Sequence, residues 1–370
     1  MNADRSSSTS VAIIGGGPAG AAVAITLARF GVRCMVLEAA AQPGFKVGEC
    51  LPPTAGPVID QLGLTEFMRR GGHLPSYGNR SVWGSPVAIE RDFLFSPYGC
   101  GWHLDRLLFE AQLADQARTH GVDWQSGVRV INVSREENQW VLDAMLLQDR
   151  VRLRSAFLVD ATGRPGRFAR QIGARQLRFD QLIGLWNRLE PNEAGADPDT
   201  RTLVESVRSG WWYSSGLPDG SLMVIYFTDR DLIGLSGAGA GSDWEKLLNE
   251  TDHTRRRVKG SSRGFFANPR VLPANNARLD RFGGEGWLAV GDAAVAYDPL
   301  SSYGITASLA GGIRAGEAIA NFLNNHPRVL QEYAGHIEAA FLEYLKVRSD
   351  HYLLEQRWPD EPFWRRRAVG

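Results

Sequence analysis

From Val11 the chain runs apolar through Ile14, turns through a cluster of glycines, continues in small residues and returns to an apolar run that ends on an acid: VAIIGGGPAGAAVAITLARFGVRCMVLE. Strand, glycine turn, slim helix and strand in that order predict a βαβ unit. Two later apolar runs close in a similar way, one within FLVDATGRPGRFAR on Asp160 and one within GWLAVGDAAVAYDPLSSYGI on Gly291-Asp292. Apolar positions at helical spacing follow Arg106, and alternation predicts a strand over residues 128–133. Further strands are predicted at 184–189, 202–207, 210–213 and 221–228, with loop-rich punctuation at 191–199 and 234–241. Leu330, Tyr333, Ile337, Phe341 and Leu345 recur at helical spacing and predict a helical C-terminal region.

Composition narrows the functional classes. A chain of 370 residues with 44% hydrophobic and 22% charged positions is long enough for two to three globular domains. Basic and acidic residues balance at 41 each, so no overall field attracts nucleic acid or an acidic membrane surface. Cys34, Cys50 and Cys100 are odd in number and lack a C-x-x-C pair, so neither a disulfide framework nor a metal site is expected. The polar start and the lack of about 18 unbroken apolar residues give no sign of export or of a membrane span, and a cytoplasmic location is expected. The short basic runs 255–257 and 365–367 are expected at the solvated surface.

The glycine turn carries the first chemistry. Gly15, Gly17 and Gly20 fit G-x-G-x-x-G: one for the tight turn, one for backbone approach to a pyrophosphate, one for close packing of helix on strand. A helix opening at Pro18 and Ala19 presents unpaired N–H groups and about half a positive charge to the phosphates. Glu38, followed by Ala39, ends the second strand where a ribose hydroxyl would be held.

The segment from Gly286 to Ile305 resembles the second FAD fingerprint of the glutathione-reductase and hydroxybenzoate-hydroxylase (PHBH) class of flavoproteins. That resemblance implies that Asp292 binds the ribityl chain and that Pro299, Ser302, Tyr303, Gly304 and Ile305 lie along the flavin. Asp160 and Gly163 match the family's Asp-Gly motif, Arg106 its FAD-reaching arginine, and Val130 the position whose backbone touches adenine. Lys46-Val47-Gly48-Glu49-Cys50-Leu51-Pro52-Pro53 resembles the V-G-E segment of flavin-dependent tryptophan halogenases. With Gly101-Trp102-His103-Leu104-Asp105-Arg106, Trp211-Trp212-Tyr213 and Asp298-Pro299-Leu300-Ser301-Ser302, the chain is similar to the halogenase-like flavoproteins that mature tryptophylquinone enzymes of lysine-oxidase, glycine-oxidase and quinohaemoprotein amine-dehydrogenase systems.

What the resemblance implies is an α/β fold: an FAD-binding Rossmann-like domain of the glutathione-reductase/PHBH type, an antiparallel-sheet substrate domain over the flavin and a C-terminal helical region. Residues 1–10 are expected to be flexible; 11–75, 100–180 and 270–325 form the FAD-binding domain; 76–99 and 181–269 form the substrate domain; 326–370 form the helical segment. The implied activity is hydroxylation of an indole or phenol through a flavin C4a-hydroperoxide, with O2 as co-substrate. Electrons would come from NAD(P)H or from a separate flavin reductase supplying reduced flavin, and the substrate class includes a peptidyl tryptophan.

Halogenation is the alternative, and the residues depart from it. A halogenase lysine is needed downstream of V-G-E, yet no lysine lies between Lys46 and Lys246, and an always-protonated guanidinium is a poor nucleophile toward an electrophilic halogen. Ser301 stands where halogenases carry a glutamate, Tyr303 where they carry a chloride-binding threonine, and the Trp-x-Trp-x-Ile-Pro box has no intact copy. An oxygen-independent flavin reductase and a non-catalytic FAD-binding partner protein are further alternatives. Trp83, Trp211, Trp212, Tyr213 and Tyr226 are candidates for an aromatic substrate pocket. His73 is a candidate acid or base, and Glu49 a candidate contact to the flavin or to the substrate edge.

Overall fold

In the computed structural model, residues 8–192, 197–233, 240–261 and 269–368 are described. Those parts of the readings for 1–10, 191–199 and 234–241 that fall on residues 1–7, 193–196 and 234–239 lie outside the described residues. The apolar run at the start forms strand β1 (Ser8–Ile14), followed by helix α1 (Pro18–Arg29) and strand β2 (Cys34–Glu38). Strand β3 (Asp149–Asp160) lies on the other side of β1, so that Val11 pairs with both Cys34 and Phe157. The parallel sheet extends to Trp287–Ala289 beyond β3 and to Asp123–Ser126 beyond β2. Because these strands run in one direction, Ile14, Glu38, Asp160 and Ala289 all end on one edge, which is where such sheets receive ligands.

Small residues bring α1 against the late helix α4 (Gly304–Leu323), with helix α2 (Arg106–Thr119) and helix α3 (Ala240–Asn249) between them in sequence. A Cβ on Gly312 would lie 2.6 Å from Ala19 O and from Ala22 Cβ, and one on Gly316 would lie 2.7 Å from Thr26 Cβ. Close approach of these two helices therefore requires glycine on one and small residues on the other.

Among the described residues the second sheet has seven strands. Its central four are β4 (Leu182–Leu189), β5 (Thr202–Val207), β6 (Gly210–Gly216) and β7 (Leu222–Asp229), paired antiparallel in the order β4-β7-β6-β5. Gly78–Val82 pairs parallel with β5, and Ile89–Asp92 forms the edge. Arg270–Pro273, placed by sequence in the FAD-binding domain, is instead the opposite edge strand, because it pairs with β4. Both faces of β6 and β7 are covered. Trp211 and Phe227 meet Trp83, Tyr352, Phe363 and Trp364, whereas Trp212 and Tyr226 meet Trp244, Leu248 and Val258.

The C-terminal region is helical, as α5 (Val329–Leu353) and α6 (Pro362–Ala368), and α5 packs on α4. Of the basic residues expected in solvent, Arg367 is buried and Arg257 is partly buried. Arg367 donates to Asp229 Oδ1 at 2.6 Å and stacks over Phe363, while Arg257 pairs with Asp197 and donates to Ser214 O at 3.0 Å. An arginine enters a core when a carboxylate partner satisfies its charge there, which a three-residue basic run does not reveal. Replacing Gly312 by Val is expected to cost about 1–3 kcal/mol by overpacking the α1–α4 contact, read as a lower midpoint in denaturant unfolding.

Candidate FAD site

A cavity of about 810 Å³ opens where the carboxyl edge of the parallel sheet faces the second sheet. Gly15, Gly17, Pro18 and Ala19 line one side. Gly15 has φ +109, and a Cβ there would meet Ala161 O at 2.3 Å, so only glycine makes this turn. At Gly17 the opposite holds: a Cβ would meet nothing within 4 Å, and it would project into open space at the N-terminus of α1. Gly20 lies behind the wall, where a Cβ would come 2.0 Å from Gly15 O, and its work is the close helix packing.

Glu38 and Ala39 continue the wall. The Glu38 carboxylate is fixed at the end of β2, accepting the Gly16 N–H at 2.7 Å on Oε2 and the Ala40 N–H at 2.9 Å on Oε1. Val130 and Gly163 also line the cavity. Asp160 does not, because its carboxylate turns inward. It accepts from Thr162 N–H and O–H at 3.0 and 2.6 Å, and from Phe168 and Ala169 N–H at 2.8 and 2.7 Å. Asp160 thus ties the loop that presents Gly163.

Across the cavity, Asp292, Pro299, Ser302, Tyr303, Gly304 and Ile305 line the approach to α4. The Asp298 carboxylate caps the turn from Leu300 N–H at 3.0 Å, and Ser302 takes φ +50 to complete it. Burial raises the Asp292 carboxyl above its ordinary range, opposed by Arg164 at 3.5 Å and by Arg106. From α2, Arg106 donates to Gly48 O at 2.7 Å and to Glu110 at 2.6 Å, while its buried Nε has no hydrogen-bond partner among the described residues. Glu110 also binds Lys46, the one lysine among the cavity-lining residues.

The wall belonging to the second sheet holds Glu49, Tyr213, Ile225 and Phe227, with Leu272 and Pro273 from the edge strand. Glu49 is buried, and its Oε1 accepts the hydroxyls of Tyr213 at 2.6 Å and Ser215 at 2.5 Å. Burial, and next the Glu49 charge, hold the Tyr213 phenol well above its ordinary value, so it remains a proton donor. Beside Glu49, His103 is fully buried between Gly216 O at 2.9 Å and Thr202 Oγ1 at 3.2 Å.

Besides Gly20 and Asp160, five predicted residues lie off the cavity. Tyr213 faces it, but strand alternation turns Trp212 and Tyr226 to the opposite face, where they stack with centroids 5.0 Å apart. Trp211 shares the Tyr213 face, yet Trp83 and Tyr352 cover it. His73 lies away from the cavity with both ring nitrogens engaged: Nδ1 accepts the Asp105 N–H at 3.1 Å, Nε2 meets Gln112 at 3.1 Å, and burial lowers its pKa. Arg164, Lys46 and Glu110 on the glycine-turn side and Ile225 and Phe227 on the sheet also line the cavity and carry no local sequence signal of it. Pairing Tyr213 with Ile225 by register would have found the latter two.

These residues fit FAD: an open cradle over Gly17, an unpartnered Arg106 N–H and a fixed carboxylate at Glu38 are all parts a dinucleotide needs. The family described as FAD binding domain matches residues 8–340. The chain belongs to that family. This flavoprotein is 28% identical to a putative FAD-dependent oxidoreductase, LodB, of Marinomonas mediterranea, over 96% of the chain and 95% of LodB. It is 30% identical to a 1H-pyrrole-2-carbonyl-[peptidyl-carrier protein] brominase of Pseudoalteromonas luteoviolacea, over 84% of the chain and 76% of the brominase. Its fold superposes on the myxobacterial chondrochloren halogenase CndH with TM-score 0.89 at 23% identity, covering 98% and 86% of the two chains. The peptidyl tryptophan dihydroxylase QhpG aligns with TM-score 0.79 at 26% identity, covering 98% and 79%. The flavoprotein is therefore a flavin-dependent enzyme of the halogenase-like monooxygenase superfamily. Among the described residues, no helix is long and apolar enough to cross a membrane, and no His/Cys/Asp/Glu group is arranged to hold a metal.

Gly17→Val separates cofactor binding from folding. Its side chain enters open space from extended backbone, so unfolding stability should change by no more than about 0.5 kcal/mol. FAD affinity, followed by flavin fluorescence, should fall about tenfold or more, a loss of about 1.4 kcal/mol.

Proposed function

We propose that this flavoprotein is an FAD-dependent monooxygenase that hydroxylates an electron-rich ring, an indole carried on a peptide or partner protein. The observation that carries this reading is the wall opposite the α4 turn: a buried Glu49–Tyr213 pair flanked by Ile225, Phe227 and Leu272. It is apolar enough to receive an aromatic ring, and it offers one carboxylate to orient it. The family members QhpG and LodB support the choice of a peptidyl substrate and of an oxidoreductase. Against halogenation stands Lys46, the one lysine among the lining residues, whose ammonium is bound by Glu110 on the Arg106 side.

In this reading Gly15, Gly17, Glu38, Arg106, Val130, Gly163, Asp292 and the turn Pro299, Ser302–Ile305 hold the cofactor. Bound FAD, reduced by NAD(P)H directly or replaced by reduced flavin from a separate reductase, supplies oxygen activation. One oxygen atom enters the ring and the other leaves as water, with both electrons drawn from the reductant. The protein's own part is positional and electrostatic. Ile225, Phe227 and Leu272 exclude water from the ring's face. Glu49 Oε1 is occupied by Tyr213 and Ser215, whereas among the described residues Oε2 carries only the Gly48 N–H at 3.2 Å. Oε2 is the atom left to accept the ring's N–H or O–H, which fixes its orientation and raises its electron density as oxygen is transferred.

Reduced protein should therefore add oxygen from O2 to a tryptophan-containing partner peptide, seen as isotopic label by mass spectrometry. Bromide or chloride incorporated in place of oxygen would assign the chain to halogenation, and turnover unchanged by strict anoxia would assign it to the reductases. Glu49→Gln should retain FAD and lose roughly a hundredfold in kcat; a variant with wild-type kcat removes Glu49 from the chemistry.

A further inference from the structure

The α4 turn is anchored from outside the FAD-binding domain. Asp298, which opens the turn and lines the cavity, is buried, and every polar atom it carries is bound. Its N–H donates to Asn276 Oδ1 at 3.0 Å and to Tyr344 Oη at 2.7 Å, and its carbonyl accepts from Ser301 Oγ at 2.8 Å. One carboxylate oxygen caps Leu300 N–H at 3.0 Å. The other receives Arg348 Nε at 3.0 Å and Tyr352 Oη at 2.9 Å, both from α5. Arg348 spans to Asp180 at 3.0 Å, and the Tyr352 oxygen in turn accepts Trp211 Nε1–H at 3.1 Å from β6. None of these α5 side chains lines the cavity.

We propose that Arg348 and Tyr352 are positioning residues that set the reduction potential of the bound flavin by neutralising and orienting the Asp298 carboxylate just behind the cavity wall. The inference rests on the reading of this cavity as the FAD site. Reduction adds an electron pair to the bound cofactor, and a nearby carboxylate resists that added charge unless a cation and donors compensate it. Arg348 is the cation bonded to this carboxylate, and it is held in low dielectric, where the compensation is least screened. Removing it leaves Asp298 less compensated beside the cavity, so reduced FAD should bind less tightly relative to oxidised FAD and the potential should fall. Tyr352 supplies one neutral hydrogen bond to the same oxygen, so its loss should act in the same direction and less.

The test is the two-electron potential of purified, FAD-loaded protein, titrated spectroelectrochemically beside the oxidised-FAD dissociation constant. Arg348→Gln should weaken reduced against oxidised binding about tenfold, a fall of about 30 mV for a two-electron couple. Tyr352→Phe should give about threefold, ~14 mV, and Arg348→Lys should recover most of the wild-type value. Arg278→Gln is the control: Arg278 binds Glu338 of α5 at 2.8 Å but does not touch the turn, so its potential should match wild type. Potentials equal to wild type in both Arg348→Gln and Tyr352→Phe overturn the proposal, as does an equal fall in Arg278→Gln, which would reduce α5 to packing. If Arg348→Gln does not fold, Tyr352→Phe decides alone, and a wild-type potential there overturns the proposal. A folded wild-type protein that takes up no FAD overturns the flavin reading itself and this inference with it.

Discussion

Parallel pairing of β1 with β2 and β3 is the constraint from which the rest follows. Because Ile13 sits beside Val36 and Val159 in one register, each strand must release its chain at the same edge. Three separate loops then meet there, and each meets the crowding differently. Gly15 turns with a positive φ under Ala161 O, Glu38 folds its carboxylate onto Gly16 N–H, and Asp160 turns away to tie its own loop. The close contact of α1 with α4 brings the late turn to the same place. A dinucleotide cradle is thus a consequence of strand direction, with glycine required where backbone approaches backbone.

The second sheet adds a different constraint. Its central strands β6 and β7 are covered on both faces, so each of their residues is committed to one of two environments by parity. Tyr213, Ile225 and Phe227 share the face that includes the cavity, and Trp212 and Tyr226 share the face packed on Trp244. Further along the first face the C-terminal helices take over, covering Trp211 with Trp83 and Tyr352. The cavity wall on this sheet is the part of one face that α5 and α6 leave open. Of these helices, α5 also reaches the turn before α4 through Asp298, so one C-terminal helix touches both walls of the cavity.

What was legible in the chain was local. G-x-G-x-x-G, the terminal acid of β2 and the Asp298–Ile305 turn each act within a few residues, and the cavity gathers Gly15, Gly17, Glu38, Asp292 and Ser302 from them. What was not legible depends on distant partners. His73 looked like a neutral-range acid or base, but Asp105 and Gln112 occupy both ring nitrogens. Four aromatic residues expected in the pocket are core because of what covers them, and Arg367 is buried because Asp229 waits more than a hundred residues upstream. Strand parity recovers some of this, and no local pattern recovers the rest.

The seat inferred for one FAD is this cavity, between the glycine turn of α1 and the turn that opens α4. Spectroscopic titration of the purified chain with FAD tests it most directly. Saturable uptake of one flavin per chain is expected, with visible bands displaced from those of free FAD. A well-folded protein whose spectrum is the simple sum of protein and free flavin would contradict it.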